Sequence, residues 1–171
     1  MNLDEALGMI AELPDFPEPG VVFRDLTPLF GDPKAFATVI DALAEVVGDV
    51  DQLAAVEARG FVLAAAVAYA KGVGVTLVRK AGKLPSVGGS VDYELEYGTA
   101  TLELPADAVR PGERVAIIDD ILATGGTVAA TRSLLAEAGA DVRSVAVVLE
   151  LASLGGRERL GDVPLHVLKS A

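Results

Sequence analysis

The chain has 171 residues, 51% hydrophobic and 23% charged, the length and balance of one ordinary globular domain. Its 25 acids against 14 bases leave a net charge of −11, which argues against nucleic-acid and anionic-membrane binding, because both need a basic face. With no Cys and one His, disulfides, thiolate catalysis and Cys-based zinc sites are excluded, and a serine triad or His-rich metal centre would depend on His166 alone.

In chain order, Asn2 to Leu13 reads as an amphipathic helix with Leu3, Leu7 and Ile10 on one face. The start carries two acids and no base, unlike a secretory signal, and the longest apolar run, Phe61 to Ala70, falls well short of the ~20 residues that span a bilayer; a cytoplasmic location is expected. PDFPEPG (14–20) reads as irregular, and Phe23-Arg24-Asp25 falls in the loop after it. A helix is predicted over Pro33 to Val47, with Asp32 as N-cap and Pro33 in first position. Strands near 53–57, 75–79, 114–119, 143–150 and 164–168 then alternate with helices near 60–71 and 126–138. Apolar runs such as VAII (115–118) suit strands covered on both faces, so an α/β fold with a parallel sheet is expected. LPSVGGSVD (84–92) predicts a mobile loop. YELEYGTATLEL (93–104) predicts a half-exposed hairpin turning at Tyr97-Gly98, and 84–97 together would form a lid. With no repeat or linker, residues 1–171 are expected to form a single domain.

The most informative stretch is VAIIDDILATGGT, Val115 to Thr127. A buried strand delivers two adjacent carboxylates, Asp119 and Asp120, to its C-terminal end, where open α/β sheets bind ligands. The loop Ala123-Thr124-Gly125-Gly126-Thr127 then opens a helix whose free N–H groups and Thr hydroxyls suit a phosphate. It is neither a Walker A nor a GxGxxG motif. Adjacent acids beside an anion site are unfavourable unless a ligand needs both, and a phosphorylated sugar does: N–H donors take the phosphate while carboxylates accept from vicinal hydroxyls.

Two further stretches have their own physical reading. Glu57-Ala58-Arg59-Gly60 follows a strand and opens a helix, a second anion site to which Arg59 adds a guanidinium suited to diphosphate. Arg79, Lys80 and Lys83 put three positive charges within five residues of an acidic chain. Alone they read as a solvated loop; beside a diphosphate site they form an electrostatic cradle.

IIDDILATGGT resembles the 5-phosphoribosyl diphosphate (PRPP) motif of type I phosphoribosyltransferases. PGVVFRDLTPLF (19–30), EARGFVLAAAVA (57–68), RKAGKLP (79–85), YELEYG (93–98) and LELASLGGRERL (149–160) are similar to the adenine-using branch of that family, so the resemblance covers nearly the whole chain. It implies a central parallel sheet flanked by helices, a lid and a small base-binding hood from the N-terminal segment. It implies transfer of the 5-phosphoribosyl group from PRPP to adenine N9, giving AMP and diphosphate in purine salvage. Alternatives are a guanine- or xanthine-type enzyme and a PRPP-binding regulator, the latter disfavoured by the absence of a basic segment.

By the same resemblance, residues 123–127 hold the 5′-phosphate and Asp119 with Asp120 face the ribose hydroxyls. Phe23, Arg24 and Asp25 belong to the base pocket, with Phe23 stacking on the purine. Glu96 handles the purine proton after the lid closes, and Tyr97 packs over the ribose. Mg²⁺ is implied, held by diphosphate and water rather than directly by protein, with Asp119 or Asp120 touching it through water. A homodimer is implied too, in which Arg79 to Lys83 serve either their own site or the neighbour's. His166, remote from every motif, reads as structural.

Overall fold

The computed structural model describes residues 1–95 and 98–171. They divide into two compact units, Met1–Ala42 and Leu43–Ala171.

In the first unit, helix α1 (Leu3–Leu7) opens on a reciprocal cap: the Asn2 side chain accepts from the Glu5 N–H while the Glu5 carboxylate accepts from the Asn2 N–H. The helix predicted to Leu13 stops at Gly8, and Ala11–Pro14 is instead strand β1, antiparallel to β2 (Val22–Asp25). Leu13 stands opposite Phe23, and Glu12 opposite Arg24. Phe23-Arg24-Asp25 is therefore strand, not loop. Both strands of a two-stranded ribbon are edges, so Pro14 is tolerated where a central strand would reject it. Asp25 accepts from the Thr27 N–H at 2.9 Å and helps start α2 (Thr27–Gly31), a short helix that hydrophobic periodicity does not reveal. The N-cap predicted for α3 (Pro33–Val46) is present: Asp32 accepts from the N–H groups of Lys34 and Ala35.

The second unit is built on a seven-stranded sheet in the order β5-β6-β4-β3-β7-β8-β9. Strands β3 (Gln52–Val56), β4 (Gly74–Lys80), β7 (Arg114–Leu122), β8 (Asp141–Glu150) and β9 (Leu165–Ser170) run parallel, as the continuous apolar runs predict. Successive residues of a strand face opposite ways. Ala54, Val56, Ile117, Val145 and Val147 accordingly pack with Val128, Leu134 and Leu135 of α5 (Gly126–Glu137). On the other face, bearing fully buried Leu53, Ala55 and Ile118, α4 (Arg59–Lys71) covers β3, β4 and β7. Helices thus flank the parallel sheet, and the β3–α4 and β7–α5 junctions both lie at its C-terminal edge.

The segment expected to be a mobile loop is largely strand. β5 (Val87–Leu95) pairs antiparallel with β6 (Gly98–Pro105), which in turn pairs antiparallel with β4. The register shifts between Val87 and Gly89, and a Cβ on Gly88 would stand 2.9 Å from the Pro105 carbonyl oxygen. The glycines that read as loop signals therefore serve a β-bulge and a close backbone approach. Gly98, expected in the turn, is the first residue of β6 and pairs with Leu95. His166 is half-buried in β9 opposite Ala146. Among the described residues, no helix is long and apolar enough to cross a membrane.

Candidate active site

At the end of β7 the chain passes from buried Ile118 through Asp119 and Asp120 to the loop 123–125 and into α5. Asp119 accepts from the Asp120 N–H at 2.9 Å, and Asp120 from the Ile121 N–H at 2.8 Å. Asp119 and residues 121–128 line a cavity of about 90 Å³. No side chain caps the N-terminus of α5, so its first-turn N–H groups are left for another acceptor.

Two glycines shape this loop by meeting back to back. Gly125 has φ +82°, in the left-handed region, and a Cβ there would stand 2.5 Å from the carbonyl oxygen of Gly156. A Cβ on Gly156 would in turn lie 3.0 Å from the Gly125 nitrogen. The turn after β8 thus packs backbone against backbone on the loop, which only glycine permits. Gly60 does similar work on the other side, since a Cβ there would come within 3.0 Å of Asp119 Oδ1 and 3.3 Å of the Ile118 carbonyl.

Arg59, the first residue of α4, brings its Nε to 2.5 Å from Asp120 Oδ2. The N–H is not aligned with that oxygen, so the buried Oδ2 receives charge compensation but no hydrogen bond. Burial, and then the Asp120 charge beside it, push the Asp119 carboxyl well above the ordinary carboxylate range.

The basic segment is organised by a residue the sequence reading did not single out. Glu57 accepts from the Lys80 N–H at 2.7 Å and from Arg79 Nε at 3.3 Å, and it is paired with Lys83 Nζ. These donors, Lys83 foremost, hold the Glu57 carboxyl at about 2. Arg79 also lies over the Phe61 ring, 5.9 Å from its centroid. The Glu57–Ala58 peptide is cis. Three of the four cations expected to cradle diphosphate, Arg59, Arg79 and Lys83, are thus already faced by carboxylates.

The structure therefore brings Arg59 to the acidic pair beside the loop, and gathers Arg79, Lys80 and Lys83 on Glu57, two residues before Arg59. In the first unit, the Phe23 ring packs edge-on against Phe16, centroids 5.2 Å apart, and Arg24 pairs with Glu12 across the ribbon. Glu96 and Tyr97 lie outside the described residues. The sequence reading gave no role of their own to Glu57, Gly60 and Gly156. The adjacent Gly155-Gly156 after a strand was a visible signal for close backbone approach; Glu57 was visible only as an acid beside Arg59.

The sequence matches the phosphoribosyl transferase domain family over residues 29–163. The chain belongs to the phosphoribosyltransferase family. Among its relatives is the adenine phosphoribosyltransferase of Saccharopolyspora erythraea, 54% identical over 170 residues, covering 99% of this chain and 93% of that one. The fold superimposes on the crystal structure of adenine phosphoribosyltransferase from Thermoanaerobacter pseudethanolicus with a TM-score of 0.95, at 46% identity and covering 99% and 100% of the two chains. It is similar also to the Saccharomyces cerevisiae adenine phosphoribosyltransferase complexed with adenine and D-2,5-dideoxy-2,5-imino-altritol 1,6-bisphosphate, with a TM-score of 0.92, 37% identity and 97% of each chain covered.

Proposed function

We propose that this enzyme transfers the 5-phosphoribosyl group of PRPP to N9 of adenine, forming AMP and releasing diphosphate. The observation that carries the reading is the junction of β7 and α5, where Asp119, the first of the acidic pair, and an uncapped helix start share one cavity in a chain whose relatives are adenine phosphoribosyltransferases. A guanine- or xanthine-type specificity has no observation in its favour.

In this reading the N–H groups of 123–127 and the Thr124 and Thr127 hydroxyls take the 5′-phosphate, at the positive end of α5. Asp119 and Asp120 accept from the ribose hydroxyls. A hydroxyl donor at Asp119 offsets the burial that raises its pKa, and the ionised pair then favours positive charge developing on the ribose. Arg59, Arg79, Lys80 and Lys83 hold the diphosphate, with Arg59, Arg79 and Lys83 exchanging carboxylate partners for phosphate oxygens. Phe23 stacks on adenine, with Arg24 and Asp25 in the same pocket, and Glu96 moves the imidazole proton while Tyr97 covers the ribose. Residues 1–171 act as one functional domain.

Mg²⁺ belongs to this reading, and its chemistry when bound is to neutralise the leaving diphosphate. The donor set suits an outer role for the protein: among the described residues no group of three or more carboxylates or imidazoles could hold a metal, whereas buried Asp120 Oδ2 still lacks a hydrogen bond. Asp119 or Asp120 would meet the ion through water.

A homodimer and a cytoplasmic location complete the reading. Between Arg59 and Lys71, α4 carries no charged residue, and its outward face holds Val62, Ala65 and Tyr69, the last 92% exposed. A helix apolar all round belongs in an interface. Phosphorus NMR tests the reaction class: PRPP signals should give way to AMP and free diphosphate when adenine and Mg²⁺ are added, and persistence of PRPP would refute it.

A further inference from the structure

Of the nine arginines, seven pair their guanidinium with a carboxylate; among the described residues only the guanidinium groups of Arg110 and Arg159 are in no ion pair. Arg159 is nevertheless held on a fixed turn (Gly156–Leu160). Its neighbour Arg157 makes two hydrogen bonds to Glu150, at 2.9 and 2.7 Å, the Leu160 carbonyl accepts from Arg132 at 2.5 Å, and Gly156 is packed against the loop at Gly125. From this platform the Arg159 guanidinium reaches the start of α5. A Cβ on Gly126 would stand 3.5 Å from Arg159 Nη1, with the Tyr93 ring edge at 3.6 Å and the Glu94 carbonyl at 3.9 Å. Arg159, Thr124, Gly126 and Thr127 share with residues 93–95 a cavity of about 470 Å³.

An uncompensated cation against the positive end of a helix is unfavourable. A phosphate dianion between the two turns repulsion into two attractions, and the planar guanidinium suits bidentate contact with its oxygens. We infer that Arg159 is a further donor to the 5′-phosphate, completing from the β8 side a site that the loop forms from the other; this rests on the phosphate-loop reading above. Because the same cavity is walled by Tyr93 to Leu95, the occupied phosphate also supports the end of β5.

Calorimetry on the full chain tests this with AMP, ribose 5-phosphate, adenine and diphosphate as separate probes, on Arg159→Ala, Arg159→Lys and Thr127→Val. Arg159 is exposed, so thermal midpoints of its variants should stay near the parent's. Arg159→Ala should weaken AMP and ribose 5-phosphate about tenfold or more, the scale of a charged hydrogen bond, and leave adenine and diphosphate within about twofold. Arg159→Lys should recover part of the loss, keeping charge without the fork. Unchanged AMP and ribose 5-phosphate affinity in Arg159→Ala, with Thr127→Val weakened, overturns the role of Arg159 alone. If Thr127→Val is also unchanged, the phosphate-loop reading falls, and this inference with it.

Discussion

The Glu57 carboxylate is the anchor of Lys83: it pairs with the Lys83 ammonium and at the same time accepts from Arg79 and from the Lys80 N–H. An acid just past the end of β3 thus supplies the counter-charge for the cations assigned to diphosphate, and in that assignment the product would compete with it for the same donors.

Glu57→Gln keeps an acceptor for the Lys80 N–H and removes the competing charge. Diphosphate should then inhibit more strongly, by about fivefold or more, since a unit charge about 4 Å away is worth about 1 kcal/mol even with the screening of bulk water. Product-inhibition kinetics read this directly. An unchanged inhibition constant would mean that Lys83 and Arg79 do not meet diphosphate.

The same carboxyl makes stability depend on acid. Its folded pKa of about 2 is below the ordinary 4.5, so its contribution is fully present above 4.5 and is lost as pH falls through about 2. The thermal midpoint of the wild type should exceed that of Glu57→Gln at neutral pH, and the gap should close towards pH of about 2. A gap that does not change with pH would contradict the pairing.

Gly156→Ala places a methyl group against the loop backbone, 3.0 Å from the Gly125 nitrogen. Overpacking of this kind costs about 1–3 kcal/mol, and here the loop must yield. The Michaelis constant for PRPP should rise and AMP affinity should fall, although Gly156 itself carries no polar side chain. Wild-type AMP affinity in a folded variant would show that loop shape is not set from β8.

This relationship shows where the sequence was legible and where it was not. Asp119-Asp120 and the glycine–threonine loop announce themselves because strand, acids and helix start are contiguous, and α4 and α5 follow from their apolar length. The Gly125–Gly156 contact joins residues 31 apart and Glu57–Lys83 residues 26 apart, so neither leaves a local pattern. Short elements misled for a different reason. Leu3, Leu7 and Ile10 keep helical spacing across Gly8, where the helix actually ends, and Pro14 hides a strand that exists only as an edge.

Glu96→Gln keeps shape and hydrogen bonding while removing the exchangeable proton. A general acid–base group contributes about 10²–10⁴-fold, so kcat should fall by that range with substrate affinities little changed. A variant retaining more than about a tenth of kcat would show that the purine proton leaves by water.

The most direct measurement is turnover of PRPP and Mg²⁺ with adenine, guanine, hypoxanthine and xanthine in parallel, scored as kcat/KM. Adenine should be favoured by at least about two orders of magnitude, since a wrong exocyclic group leaves buried polar partners unpaired. Comparable or greater turnover of any other base, or none with adenine, would contradict the assignment.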